Sequence, residues 1–437
     1  HKGDFMKTVS SYAVEIKHLN KPIKRTVFIY REALAFLIDV FNLEWELLSE
    51  ISNAKERFNT AEHLVHNTKH NTAKYEFDKK FYKMPSYMRR AVIQEALGAV
   101  SSYKTNYSDW VLSGSKGKPP VLHSDRFSMP TFYRSNMYKE GTGNTCWLNL
   151  FINNDWNWVE VKLSSTDLNY IEKCWSYCKS SAPTLEKRHK KYFLRFSFTE
   201  EIALSKVHVK EQKICAVDLG VNTDAVCSIL DSSGTVLGRE FINFSSEKDL
   251  IYRILNRIKK LQRKRLPVSG LWDYVKRLNT EFSRHVSNAI LSFATKYNVD
   301  VIVFEYLDMK GKKSGSKKQK LHMWRRNGIQ SLVDHKAHRC GIRISHICAK
   351  NTSKLAYDGS GEVVRDKKNH SLCTFRTGKQ YNCDLSASYN IGARYFIREL
   401  LKPVSERKRL LLQVKIPVLT RRTLCTLDTL RQLSAIL

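Results

Sequence analysis

Ile214-Cys215-Ala216-Val217-Asp218-Leu219-Gly220-Val221-Asn222 is the stretch on which the fold turns. Its unbroken apolar start describes a short strand of the buried type, and Asp218 stands where that strand ends. Downstream, Val226-Cys227-Ser228-Ile229-Leu230 and Val236-Leu237 read as the next strands, with Ser232-Ser233-Gly234 as the turn between them. A long basic helix follows from about Glu247 to Arg265, another from about Leu271 to Tyr297, and Val299 to Phe304 is again a buried-type strand. Strands that alternate with helices in this way predict an α/β domain with a mixed sheet.

Two further acids share the placement of Asp218. Glu305 closes the second strand in Val301-Ile302-Val303-Phe304-Glu305-Tyr306-Leu307, and Asp384 opens a helix-like stretch, Asp384-Leu385-Ser386-Ala387-Ser388-Tyr389-Asn390-Ile391. Acids at strand ends and at a helix start can converge on one edge of a sheet. Phosphodiester hydrolysis builds negative charge that carboxylates alone would repel. Two Mg²⁺ ions roughly 3.5–4 Å apart reverse that sign, one activating the attacking water and the other stabilising the leaving oxygen. Hard oxygen ligands suit Mg²⁺ or Mn²⁺. Each acid alone has a plainer reading. Asp218 could belong to a phosphate-binding loop, Glu305 could be a surface acid, and Asp384 could be an ordinary helix N-cap.

The region before Lys213 has two textures. Thr8 to Ile16 reads as a strand, and Leu34, Leu37, Phe41, Trp45 and Leu48 fall on one helical stripe. A second helix is predicted from Pro85-Ser86, with Ser86 as its N-cap, towards Tyr103 and on to Trp110. The turn-rich run Ser113-Gly114-Ser115-Lys116-Gly117-Lys118-Pro119-Pro120 ends that helical module. Beyond it, runs such as Cys146-Trp147-Leu148-Asn149-Leu150-Phe151-Ile152 and Tyr192-Phe193-Leu194-Arg195-Phe196-Ser197-Phe198 read as strands of a small sheet or barrel.

Composition bounds the partners. The 437 residues exceed one ordinary core and predict two or three domains. The net charge of +32, from 74 Lys+Arg against 42 Asp+Glu, repels itself unless a polyanion shares it, and nucleic acid is the natural polyanion. The ten cysteines form no C-x-x-C pair and read as reduced intracellular thiols rather than a disulfide framework. No apolar run reaches the roughly 18 residues of a membrane span. No secretory signal is visible, and the chain opens on His1 rather than Met, as a trimmed or tagged chain would.

At the three acids the chain resembles TnpB, the transposon-encoded RNA-guided nuclease, and the compact type V CRISPR effectors related to it. Asp218-Leu219-Gly220 resembles the first RuvC motif, Val303-Phe304-Glu305-Tyr306-Leu307 the second, and Asp384 to Ile391 the third. Between the last two, Trp324 through Lys336-Ala337 and Gly341 to Thr352-Ser353-Lys354 follow the family's helix-then-ribbon pattern. Upstream, Pro130-Thr131-Phe132-Tyr133-Arg134 and Ala96 to Tyr103 are similar too.

The resemblance implies an α+β multidomain chain: an RNase H-like (RuvC) mixed α/β nuclease domain, a helical recognition lobe and a β-barrel-like wedge domain. The expected divisions are a first wedge strand segment over 1–29, the helical recognition module over 30–118 and the wedge barrel over 119–210. The first part of the RuvC domain would span 211–339, a degenerate zinc-ribbon-like insertion 340–382, and the final RuvC motif with a basic tail 383–437. Asp218, Glu305 and Asp384 would be catalytic and would hold Mg²⁺. The partners would be a guide RNA, which selects the target by pairing, and double-stranded target DNA read at a short flanking motif. No membrane partner is expected, and the site of action would be the cytoplasm of a prokaryotic cell, at its nucleoid.

The family's four-cysteine zinc ribbon is broken here. Ala356-Tyr357-Asp358-Gly359 stands where the first cysteine pair is expected, and only Cys373 lies near the second, followed by Thr374-Phe375-Arg376-Thr377-Gly378. Cys348, His370, Cys373 and Cys383 remain as donors, but tetrahedral zinc needs four ligands, usually in close pairs, so a ribbon-shaped segment without zinc is expected.

Basic residues supply the rest of the reading. Arg257, Lys259, Lys260, Arg263, Lys264 and Arg265 make one helix almost one-signed, and like charges at i,i+3 and i,i+4 are destabilising unless a phosphate backbone lies alongside. Arg325, Arg326 and Arg134 are further candidate nucleic-acid contacts. The Lys310 to Lys320 loop, rich in Lys, Gly and Ser, directly follows the Glu305 strand and is expected to gate the cutting site. Tyr133, Trp156 and Trp158 read either as core or as platforms for base stacking. The function that results is an RNA-guided, metal-dependent DNA endonuclease with a single RuvC site. The alternatives are a structure-specific nuclease that needs no RNA and a guide-directed DNA-binding protein that does not cut.

Overall fold

A computed structural model describes residues 5–437 apart from 19, 124–126, 307–325, 367 and 370. The chain divides into two compact units, Val9–Glu200 and Glu201–Leu437, the second including the N-terminal residues up to Thr8. Among the described residues no helix is long and apolar enough to cross a membrane.

The Val9–Glu200 unit joins a helical layer to a sheet. Strand β1 (Phe5–Lys17) leads into α1 (Asn20–Leu43), α2 (Trp45–Glu50), α3 (Ala54–Val65), α4 (Phe77–Lys80) and α5 (Ser86–Leu112). Helix α1 starts at Asn20, earlier than the expected helical module at 30. Ile23, Val27 and Tyr30 extend the stripe of Leu34, Leu37 and Phe41 by whole turns, and all six are buried with Met88, Val92, Ile93, Ala96 and Val100 of α5. Pro22 does not prevent this start, because a first-turn residue has no intrahelical N–H bond to lose. Ser86 is not the N-cap of α5. Pro85 holds that position in extended geometry without a side-chain cap bond, and its carbonyl accepts from Arg89 N–H at 3.0 Å.

The strands β2 (Tyr138–Glu140), β3 (Thr145–Ile152), β4 (Asp155–Leu163), β5 (Thr184–Arg188) and β6 (Lys191–Ala203) join β1 in one sheet, with α6 (Ser165–Trp175) inserted after β4. The order is β2-β3-β4-β1-β6-β5. The expected barrel is therefore corrected to an open sheet among the described residues. Its edges, β2 and β5, are approached only by isolated bridges, Thr131 to Thr184 and Arg134 to Tyr138. Alternation along a strand specifies which face is buried, not whether the edges meet.

The second unit carries the α/β domain that the opening stretch predicts. Its strands are β7 (Lys213–Asp218), β8 (Ala225–Asp231), β9 (Val236–Ile242), β10 (Val301–Tyr306) and β11 (Arg343–Cys348), in the order β11-β10-β7-β8-β9. β10 is parallel to β7 and β11, while β8 is antiparallel to β7 and β9. Helices α7 (Ser245–Arg263), α8 (Ser269–Lys296) and α9 (Arg326–Arg339) follow β9 and β10 in the chain. A ribbon of β12 (Val364–Arg365), β13 (Leu372–Thr374) and β14 (Gln380–Asn382) leads into α10 (Cys383–Leu401), α11 (Glu406–Lys415) and α12 (Leu427–Ser434).

Two cores explain why β7 reads as a continuous apolar run. Cys215 and Val217 pack with Val286, Ile290 and Phe293 of α8 and Ile329 and Val333 of α9. Ile214 and Ala216 pack with Ile391, Phe396 and Ile397 of α10 and Leu427, Leu430 and Leu433 of α12. With both faces covered, neither alternate set can be polar. Gly392 lets α10 lie this close, since a Cβ there would stand 2.8 Å from Leu230 Cδ1 and 3.2 Å from Ala216 Cβ.

Candidate active site

The three acids come from β7, β10 and α10. In the parallel pairing Val217 stands opposite Phe304, so Asp218 and Glu305 are the next neighbours along adjacent strands, at their carboxyl ends. Adjacent strands lie ~4.8 Å apart. Asp384 is in the first turn of α10, which packs over β7, β8, β10 and β11. The N-cap is Asn382, whose side chain accepts from Leu385 N–H at 2.9 Å, so Asp384 is not the cap its plainer reading allowed. All three acids are partly exposed, next to strand residues that are buried.

Their charges interact. Burial pushes the Asp218 carboxyl well above the usual carboxylate range, Glu305 and Asp384 push it further, and Arg365 opposes them. Burial also raises Asp384, again against Arg365. Like charges this near disfavour joint ionisation. Glu305 is oriented by a relay: the Thr352 hydroxyl donates to Glu305 Oε1, and the Thr352 carbonyl accepts from Asn390 Nδ2 at 3.1 Å. Asn390 is buried and also donates to the Leu355 carbonyl at 2.9 Å, while its Oδ1 accepts from Leu427 N–H at 3.2 Å. The Asp218 loop has its own fastening, because Lys248 Nζ pairs with buried Asp224 at 2.9 Å and donates to the Asn222 carbonyl at 2.6 Å.

A donor set of carboxylate oxygens fits a hard divalent cation, and three partly buried acids gain from one. Among the described residues no group of three His, Cys, Asp or Glu side chains is already gathered tightly enough to hold an ion. The acids are neighbours without forming a closed ligand shell.

Thr352, Asn390 and Arg365 escape a reading by residue type. Thr352 and Asn390 lie inside stretches of the right motif, but only the folded contacts assign them a task. Arg365 lies on the ribbon and donates to the Ser353 carbonyl at 3.2 Å while its charge acts on Asp218 and Asp384.

The basic candidates separate. Arg257, Lys259, Lys260, Arg263, Lys264 and Arg265 are all exposed, on and just past a helix whose other face buries Ile251, Leu255 and Ile258. Helix α7 stops at Arg263, and Lys264 is its C-cap. Among the described residues none of the six pairs with a carboxylate. Arg134 is engaged locally, by Glu140 at 2.6 Å and by the Ser180 hydroxyl. Arg325, the side chain of Arg326 and the Lys310–Lys320 loop lie outside the described residues. Tyr133 packs on Tyr87 at 5.5 Å between centroids, Trp156 on Phe151 at 5.4 Å, and Lys139 stands 4.2 Å over the Trp158 ring.

The residues of the ribbon do not suit zinc. Cys373 and Cys383 are buried in a small apolar cluster with Ala356 and Phe375, while Cys348 is exposed and His370 lies outside the described residues. Ala356 and Phe375 offer no donor atom to complete a tetrahedral shell.

Comparison with known proteins adds four findings. A family model, the Aq_aa04 family, matches residues 10–152. A TnpB-like protein of Methanocaldococcus jannaschii is 28% identical over 145 residues, which cover 29% of this chain and 50% of that protein. The matched stretch thus spans half the length of that relative. The structure of a Cas12f1–sgRNA–target DNA complex superposes with a TM-score of 0.52 at 14% identity, covering 85% of this chain and 81% of that one. That of a mini RNA-guided endonuclease, CRISPR-Cas phi3, gives 0.53 at 11% identity, covering 89% and 92%. The chain resembles TnpB-like proteins in sequence, and it shares a mixed α+β multidomain fold with compact type V effectors.

Proposed function

We propose that this protein is an RNA-guided, metal-dependent DNA endonuclease with a single RuvC-type, RNase H-like site formed by Asp218, Glu305 and Asp384. The observation that carries the reading is the meeting of two acids at the ends of neighbouring parallel strands with a third on the helix that crosses them. Mg²⁺, or Mn²⁺, bound there as a pair would supply the positive charge that phosphodiester hydrolysis needs. The protein's own tasks follow from its contacts. The three carboxylates hold the ions, Thr352 keeps Glu305 turned towards them, and Asn382 and Asn390 fix the helix that presents Asp384.

The partners under this reading are a guide RNA and double-stranded DNA carrying a short flanking motif. The exposed cations from Arg257 to Arg265 run along the phosphate backbone, which positions the duplex without reading its sequence. Helices α1 to α5 act as the recognition module, the six-stranded sheet as the wedge, and the 340–382 segment as the ribbon insertion of the nuclease domain. The chain acts in the prokaryotic cytoplasm on nucleoid DNA.

The test is to purify the protein with whatever RNA it carries, sequence that RNA, and offer DNA complementary to it. Cutting that depends on sequence and on Mg²⁺ is expected. Cutting of branched DNA with no RNA present would instead favour a structure-specific nuclease.

A further inference from the structure

Two turns of the ribbon share one geometry. In Ala356-Tyr357-Asp358-Gly359 the Gly359 N–H donates to the Ala356 carbonyl at 3.3 Å, and in Phe375-Arg376-Thr377-Gly378 the Gly378 N–H donates to the Phe375 carbonyl at 2.9 Å. Both turns end on a glycine in the left-handed region, at φ +77° and +83°. The first residue of each also donates its own N–H, Ala356 to the Gly361 carbonyl and Phe375 to the Lys379 carbonyl, both at 2.9 Å. Ala356 and Phe375 are buried together with Cys373 and Cys383, so both turns feed one cluster.

Rings close that cluster. Tyr357 lies 5.6 Å from Phe375, 5.1 Å from Tyr381 and 5.3 Å from Tyr389, measured between centroids. Lys379 Nζ stands 5.1 Å over both Tyr357 and Tyr381 and donates to the Tyr357 hydroxyl at 2.7 Å. The Tyr381 and Tyr389 hydroxyls are 3.2 Å apart. Edge-to-face and tilted ring pairs at these separations are attractive beyond their burial, and a cation over a ring adds to them.

We infer that this ribbon is clasped by the packing of Ala356, Tyr357, Phe375, Tyr381 and Tyr389 instead of by a metal ion, and that the clasp positions Asp384. The link to Asp384 is short. β14 ends at Asn382, which caps α10, and Asp384 stands two residues further on. Tyr357 N–H donates to Ser386 Oγ at 3.2 Å, and Tyr389 is itself part of α10. The first two turns of α10 are thus gripped by the first ribbon turn and by the last ribbon strand. Phe375, Tyr357 and Tyr381 are positioning residues, since they act on the site through α10.

The zinc half of the inference stands on the packing alone. The positioning half rests on the proposed metal-binding role of Asp384. Three measurements on the full chain test them, none of which reads cleavage. Elemental analysis should find zinc far below one per chain, and a zinc-selective chelator should leave the melting temperature unchanged. One tightly held zinc per chain, or a melting temperature that falls on chelation, overturns the clasp. Phe375→Ala should lower the melting temperature and weaken Mn²⁺ binding, followed by electron paramagnetic resonance, by about tenfold, the usual cost of losing support behind a ligand. Phe375→Leu should restore most of the affinity. If Phe375→Ala does not fold, Tyr381→Phe removes only a hydroxyl, and a several-fold weaker Mn²⁺ affinity is expected with the fold kept. Mn²⁺ affinity unchanged in the variants that fold overturns the positioning half. A wild-type chain that takes up no Mn²⁺ contradicts Asp384 as a ligand, and positioning falls with it, while the zinc arms still decide the clasp.

Discussion

Asp218 is held under electrostatic stress. Burial, Glu305 and Asp384 raise its pKa above the ordinary 3.8, so the folded chain binds a proton there more tightly than the unfolded chain does. The stability this contributes is fully present below about pH 4 and is lost as pH rises through the folded value. At neutral pH the metal-free protein therefore carries a penalty that a bound cation would remove. Asp218→Asn deletes the charge and keeps the shape. In metal-free buffer at pH 7.5 the variant should melt ~2–4 °C higher than wild type, with the gap closing towards pH 4, while stabilisation by Mg²⁺ is lost. Scanning calorimetry across that range checks it, and an Asn variant that melts lower at neutral pH would show the penalty is absent. The three acids could be singled out from the sequence because Asp218 and Glu305 stand at the ends of apolar strands and Asp384 at the start of a helix, each in a short motif. Thr352 and Asn390 were not, since a threonine in a loop and an asparagine in a helix mark a site only through partners far off in the chain.

Among the elements, β7, β10 and α10 were readable for a physical reason. A strand covered on both faces must be apolar throughout, and a helix lying flat on it must be small where they touch. Gly392 is that point of contact, so Gly392→Val should force α10 away from Leu230 and Ala216 at a cost of about 1–3 kcal/mol, seen as a lower denaturation midpoint. A midpoint equal to wild type would mean that the helix does not sit this close. Helix α7 is governed by charge instead. Arg257, Lys260 and Lys264 are exposed, and bound phosphates would relieve their mutual repulsion. Replacing all three with Ala should flatten the dependence of log binding constant on log salt by about 0.7–0.9 per lost contact, as measured by RNA titration at several salt concentrations. An unchanged slope would leave α7 as a solvated face. What the pattern did not encode was closure and onset. The six-stranded sheet stays open where a barrel was expected, and α1 starts at Asn20 because its stripe runs on through Ile23 and Val27.

On the scale of the molecule, a charge of +32 and three repelling acids belong together if the first gathers a polyanion and the second cuts it. The two kinds of surface differ in legibility. Total charge can be counted from the sequence, whereas the C-terminal residues read there only as a basic tail, and the structure instead packs Leu427, Leu430 and Leu433 of α12 into the core behind the Asp384 helix. The i, i+3 spacing of these leucines gives α12 an apolar face, but which surface covers that face depends on residues far off in the chain. The most direct measurement compares wild type with Asp218→Ala, both carrying the RNA that purifies with the wild type, for cutting of complementary plasmid DNA in Mg²⁺. Cleavage should fall to background in the variant while the RNA stays bound with nearly the same affinity. Cleavage that persists in Asp218→Ala would contradict a site built from these three carboxylates.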